Sequence, residues 1–285
     1  MNRLLDIPTL VQHQVYLRYA DVAALSVLVF DYSLTLDLEV AYVWGSKWSF
    51  VKVEYMIIRY MPFISLSSVF MLDVPGPTAQ VCSSITKAYA IMLVFDTGLG
   101  ELILTIRTWA ICGRRFRMGI AFVIFFSIKT TIVYVIIAFW MIGLRYTLIP
   151  AGFGHNSGTC ALVSSTKILW SAWILVVVFE FVVCTVLAFE AISSFHAGGM
   201  SQLARVVYRD GLMYYIYLMA VFVGVATSII ILPAYYRKFD MIRFLSGPAH
   251  ALHVLLTARV VLHAREQANK SATHDVSSSF FTQSY

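Results

Sequence analysis

Apolar residues fall along this chain in runs of about 20 or more, the length a helix needs to cross about 30 Å of hydrocarbon. Read by that criterion, the sequence predicts spanning helices over 20–40, 51–72, 88–108, 118–142, 168–192, 212–232 and 239–262. The first holds Asp31, Asp37 and Glu39, and the last holds Arg243, Pro248, His250 and His253. Six helices are therefore the competing count to seven. Residues 1–19 lack an apolar stretch followed by small cleavage residues, so they read as a short extracellular or luminal segment rather than a signal peptide. Residues 266–285 are polar and Ser-rich and read as a disordered tail.

Composition agrees with that pattern. Of 285 residues, 60% are hydrophobic and 13% charged, against about 25% charged in a soluble domain. The mean hydropathy is +0.78. So much apolar surface exceeds what one core can hide, so the fold class is an all-α polytopic bundle whose partner is the lipid bilayer. Seven spans use the whole chain and leave no room for a separate catalytic domain. The net charge of +6 does not point to nucleic acid, because the basic residues sit singly between apolar runs. They act instead as topology signals: Arg114-Arg115-Phe116-Arg117 places the loop after the third helix in the cytosol, hence the N-terminus outside and the C-terminus inside. Arg107, Arg114, Arg115 and Arg117 then form the face offered to a cytosolic protein partner. The membrane is the plasma membrane or an endomembrane.

That topology sorts the four cysteines. Cys82 and Cys160 fall on the outer side, whereas Cys112 and Cys184 lie at the cytosolic end of the third helix and within the fifth. An oxidising compartment would pair the first two.

Ionisable groups in hydrocarbon are costly unless paired or turned inward, which makes them the first candidates for function. In an antiparallel hairpin with constant rise, residues at equal depth have numbers that sum to a constant. By this rule Asp31 pairs with Arg59, and Glu39 with Lys52. Asp31, Thr35 and Glu39 also recur at i, i+4, i+8, one stripe on the first helix. Helix three carries a second set and is expected to lie centrally: Asp96 and Glu101 fall at the depth of Lys129 on helix four and Glu180 on helix five. These four form a candidate polar core, read as an ion or proton site, a pocket floor or an internal salt-bridge network.

Other matches carry less. Asp96-Thr97-Gly98 spells an aspartic-protease triplet, but it sits in an apolar helix without a second copy. His250, His253 and His263 find no matching histidines elsewhere, so neither metal nor cofactor is expected. Without a paired catalytic set, an enzyme is not expected either. Ala220, Gly224 and Ser228 on helix six form a small-residue face for close packing, with another helix of the chain or with a second copy in a homodimer.

The run Asp31-Tyr32, Thr35-Leu36-Asp37, Glu39, Trp44, Lys47-Trp48, Lys52, Arg59-Tyr60 and Pro62 resembles the N-terminal block of a large family of fungal, chiefly basidiomycete, multi-pass membrane proteins of unknown function. Glu101-Leu102-Ile103-Leu104, Tyr208-Arg209-Asp210-Gly211 and Leu252-His253 follow in the order that the resemblance implies. It implies location and architecture, without an activity. In outline the chain is similar to seven-helix receptors. The leading reading is accordingly a receptor-like protein that senses a ligand from the outer side, with a structural or accessory membrane protein and a channel or transporter as alternatives.

Overall fold

The computed structural model describes residues 7–73, 78–150, 158–164, 168–196, 213, 216–225, 227–228 and 241–282. It is a helical bundle with one small hairpin. The helices are α1 (Ile7–Glu39), α2 (Phe50–Val69), α3 (Ala79–Ile111), α4 (Phe116–Ile142), α5 (Leu169–His196), α6 (Ile216–Val225) and α7 (Met241–Thr282). Six of them, all but α6, are long and apolar enough to cross a membrane. The chain is therefore a multi-pass integral membrane protein. Helix α6 lies within the expected 212–232 segment, whose remaining residues fall largely outside those described.

Several ends differ from the sequence reading, and local chemistry accounts for most of them. Helix α1 is described from Ile7 onward, inside the segment expected to precede the membrane. It closes through a π-helical turn, Val40–Trp44. Helix α2 begins where Ser49 accepts a hydrogen bond from the Lys52 amide. Helix α3 begins well before residue 88, where the Thr78 hydroxyl accepts from the Val81 amide. Helix α7 continues to Thr282, through the segment expected to be disordered. That segment lacks Gly and Pro and follows directly on strong helix formers from Ala264 onward, so the backbone can remain helical beyond the apolar part.

Between α4 and α5, strands β1 (Arg145–Pro150) and β2 (Gly158–Ser164) pair antiparallel, with Leu148 opposite Cys160. Cys160 is disulfide-bonded to Cys82 near the start of α3. The bridge packs against Val69 and Leu72, and Tyr146 of β1 hydrogen-bonds Thr86 of α3 over 2.7 Å. One end of the bundle is thereby tied across α2, α3 and the hairpin. Cys112 and Cys184 are free and buried.

The outward faces are apolar. In α4 the buried residues Phe122, Lys129, Val133, Ile137 and Trp140 make one helical stripe, while Val123, Ile124 and Phe139 stand exposed. Such a helix has lipid as its solvent on three sides. Helix α7 is the opposite: 67% of its spanning window is buried, against 33% for α3. The central helix is therefore α7 rather than α3, whose Ile91 and Phe95 are exposed. Two cores flank it, one around Phe179, Leu187 and Phe222 and the other around Leu28, Tyr55, Ile58 and Leu66. Ala249 and Val260 face the first, while Ala251, Val254 and Ala258 face the second. Helix α6 packs inward through Leu218, Phe222 and Val225, which leaves Ala220 and Gly224 of the small-residue face on the outside.

Helix α3 meets α7 closely at Gly100, where an added Cβ would overlap the His253 ring; at Gly98 it would meet nothing within 4 Å. Gly100→Ala should therefore lower the midpoint of thermal unfolding in detergent, corresponding to a loss of about 1–3 kcal/mol. Gly98→Ala should leave it unchanged or raise it, since it only improves helix propensity. Equal midpoints for the two variants would contradict the close approach.

Candidate functional site

Two groups of buried charge organise the bundle. The first lies in the α1–α2 hairpin. Asp31, Thr35 and Glu39 share one face of α1 across about 12 Å, and Arg59 of α2, 1% exposed, lies against all three. Its Nη1 is 3.0 Å from Asp31, its Nε is 3.3 Å from Glu39, and its Nη2 donates to the Thr35 hydroxyl. The Tyr32 ring covers the guanidinium at 5.2 Å. Glu39 also accepts from the Tyr60 hydroxyl at 2.7 Å and from the Trp44 indole at 3.2 Å.

Asp31 and Arg59 therefore meet, whereas the expected Glu39–Lys52 pair is absent. Lys52 sits in the first turn of α2, where its Nζ donates to the carbonyls of Trp44 (2.9 Å) and Ser46 (2.7 Å) and lies over the Trp48 ring. Carbonyls left unpaired at the end of a helix attract a cation, and the longer Arg59 already occupies Glu39. Sequence reasoning missed a further member: Arg259 of α7 reaches Asp31 at 2.6 Å. Two carboxylates and two guanidiniums close the charge. Below them Arg265 of α7 donates to the Tyr42 carbonyl and to Ser46. Depth matching works between helices joined by a tight turn, but it has nothing to say about where a distant helix docks.

The second group divides the four residues expected to gather in the centre. Glu101 of α3 and Lys129 of α4 form a buried ion pair, and the ammonium lies 4.9 Å from the Phe179 ring and 5.2 Å from the Phe126 ring. Glu180 of α5, 2% exposed, lies within electrostatic reach of both. Asp96 turns instead to α7, where His250 Nε2 lies 3.3 Å away and both side chains are fully buried. Asp96 and Glu101 are five positions apart on a helix of 3.6 residues per turn, so they point to different neighbours. His253 lies between the two sets, against Gly100 and the Phe222 ring of α6, and feels both His250 and Lys129. A search for metal-ligand spacing does not find these histidines, because what they meet is a carboxylate, a glycine and an aromatic ring. Among the described residues no group of three potential ligands could hold a metal ion.

Next to Glu101 and Lys129 lies a cavity of about 120 Å³ between α3, α4 and α5. Its walls are apolar, with Leu93, Val133, Ile137, Trp140, Trp173 and Val176 among them. The Glu101–Lys129 pair forms the polar part, with Asp21 of α1 and Ser246 of α7 also on the lining. Thr86 and Tyr146 line its other end, beside the disulfide.

The arginines assigned to a cytosolic face are at the opposite end. Arg114, Arg115 and Arg117 are exposed in and after the α3–α4 turn, and Arg115 lies 3.5 Å from Glu190 of α5. Arg107 stands one turn inside the end of α3 and is half-buried.

Residues 19–64 match a family of unknown function (DUF6533). The matched segment is the first hairpin with its whole α1–α2 network: Asp31, Thr35 and Glu39, the Trp44 and Lys52 turn contacts, and Arg59 with Tyr60. The sequence matches no curated protein.

Because Asp31 and Arg59 belong to a four-charge set, exchanging them should not restore stability. The new arginine would face Arg259, and the new aspartate would face Glu39. Each single change, Asp31→Asn or Arg59→Met, should destabilise by about 3–5 kcal/mol by stranding the remaining charges. The double exchange should do no better in thermal unfolding of the purified protein. A near-native midpoint for the exchange would reduce the network to an isolated pair. In the second group, Glu101→Gln alone should lower the midpoint, and adding Lys129→Met should recover part of the loss, because the double variant buries no lone charge. No recovery in the double variant would mean that the pair is not what the two positions share.

Proposed function

We propose that this chain is a receptor-like membrane protein that takes a small, neutral, mostly apolar ligand into the cavity between α3, α4 and α5, and that it binds this ligand rather than transforming it. The observation that carries the proposal is the cavity itself. It has apolar walls over most of its length, as small-molecule sites usually do, and a polar floor at Glu101 and Lys129. Since that carboxylate and ammonium are already paired, an incoming charge would have to break the pair. A neutral molecule with one hydrogen-bonding group would not. The disulfide supports the reading further, because it ties α3 to the hairpin beside the cavity's far end and keeps that end preorganised. With the N-terminus outside, that end faces outward. A transport path has less behind it: among the described residues the two charge groups close into separate sets on different helices rather than forming one polar run along the bundle.

Binding can be tested on the detergent-purified protein with medium-chain alcohols, aldehydes and esters, with the unfolding midpoint as readout. At least one class should raise the midpoint saturably, since a ligand at about a hundred times its Kd adds roughly 2.7 kcal/mol. Val133→Trp and Ile137→Trp fill the cavity from α4 and should abolish the shift while the variants still fold. A panel with no saturable shift, or equal shifts in the filled variants, would overturn the assignment.

A further inference from the structure

We propose that the α3–α4 turn and the exposed face of α4 form a binding site for an anionic phospholipid, with its headgroup on Arg114 and Arg117 and an acyl chain along α4. The turn has an unusual construction. Gly113 and Arg114 both have positive φ, 73° and 53°, a backbone conformation that side-chain-bearing residues rarely adopt. It is held by Trp109. The Trp109 carbonyl accepts from the Arg114 amide, and its indole N–H donates to the Arg115 carbonyl, both at 3.1 Å. The indole also lies flush against Gly119, where a Cβ would come within 2.9 Å of its nitrogen. The arginines are thus presented on a fixed frame rather than a loose loop. Arg115 is engaged by Glu190, whereas Arg114 and Arg117 have no carboxylate partner among the described residues.

The surface below the turn distinguishes a lipid from a soluble anion. Phe116, between the arginines, is 78% exposed, and Ile120, Ile124 and Ile128 follow it at every fourth position, all exposed. Phe116 to Ile128 spans about 18 Å at helical rise, close to half of the hydrocarbon thickness. Guanidinium forks suited to phosphate therefore stand directly above an apolar track one acyl chain long. Trp48 and Phe50 of the α1–α2 turn, also exposed and at the same end of the bundle, mark the headgroup level. A soluble protein partner fits less well, because a stable interface needs about 800 Å² per partner and would leave the apolar track unused.

The test reconstitutes the full chain in vesicles of phosphatidylcholine containing a minor fraction of phosphatidylserine or a phosphatidylinositol phosphate. Lipids retained after gentle extraction are then counted by native mass spectrometry. Retained anionic lipid should be enriched on the order of tenfold over its fraction in the vesicle, since each basic residue at the headgroup contributes to the attraction. About 1 M salt should suppress the enrichment by shortening the Debye length to about 3 Å. Arg114→Gln with Arg117→Gln should bring enrichment near unity, and Phe116→Ser with Ile120→Ser should reduce it with the charges intact. All of these positions are exposed, so an unchanged unfolding midpoint shows that the variants fold. Equal retention of phosphatidylcholine, unchanged enrichment in the arginine variant, or displacement by water-soluble inositol phosphate at matching concentration would each overturn the proposal. So would capture of a cytosolic protein by the turn in vesicles of phosphatidylcholine alone.

Discussion

An arginine cannot be left alone in hydrocarbon, and the bundle is arranged around that constraint. Arg59 lies in the middle of α2 with its guanidinium out of reach of water, and three consecutive turns of α1 supply its partners. Those turns bring two carboxylates, one more than Arg59 neutralises. Arg259 restores the balance, so the last helix must dock where its guanidinium meets Asp31. The cost of an uncompensated buried charge is several kcal/mol even after relaxation, comparable to the whole margin by which a domain is stable. The first hairpin and the last helix are therefore bound to each other by electrostatic necessity as well as by packing.

The same constraint explains which parts of the fold could be read from sequence. Neighbouring helices joined by a short turn have their relative depth fixed by the rise per residue, which makes the Asp31–Arg59 contact legible. Lys52 breaks the pattern because a competing local demand, the open carbonyls at the end of α1, lies closer than Glu39. The partners on α7 were not legible at all: Arg259, Arg265, His250 and His253 lie some two hundred residues from the first hairpin, and no turn length fixes their depth. Their presence also weakened the apolar signal of α7 itself. A helix enclosed by other helices can carry polar groups that a lipid-facing one cannot, so α7, one of the two spans of lowest hydropathy, is the most buried of the six.

The cavity adds a second division, between a rigid end and a polar interior. The disulfide, the β1–β2 hairpin and the Thr86–Tyr146 hydrogen bond fix one end of α3 to its surroundings. Further down the same helix, Glu101 and Asp96 face different neighbours, so α3 presents charge to α4 on one side and to α7 on the other. The residues on either side of the cavity floor were identifiable from composition alone, since charges are rare there. Their separation into two sets was not, because it depends on where α7 stands.

That position makes α7 a physical connection between the hairpin network and the candidate site, beside Asp21 of α1, which lines the cavity directly. Arg259 and Arg265 hold it to the α1–α2 hairpin, His250 and His253 press it against α3, and Ser246 reaches the cavity lining. The contacts follow one another along about 30 Å of a single helix. A helix whose two ends are fixed by different partners cannot shift at one without changing the fit at the other, since packed interiors move between discrete arrangements rather than bending freely. His253 sharpens this, for it fits only because Gly100 has no side chain, and its far face rests on Phe222 of α6. Movement of α7 therefore has to be taken up by α3 or α6, the helices nearest the cavity's polar floor and the outer small-residue face. On this argument the hairpin network sets where the centre of the bundle stands, although none of its charges lines the cavity.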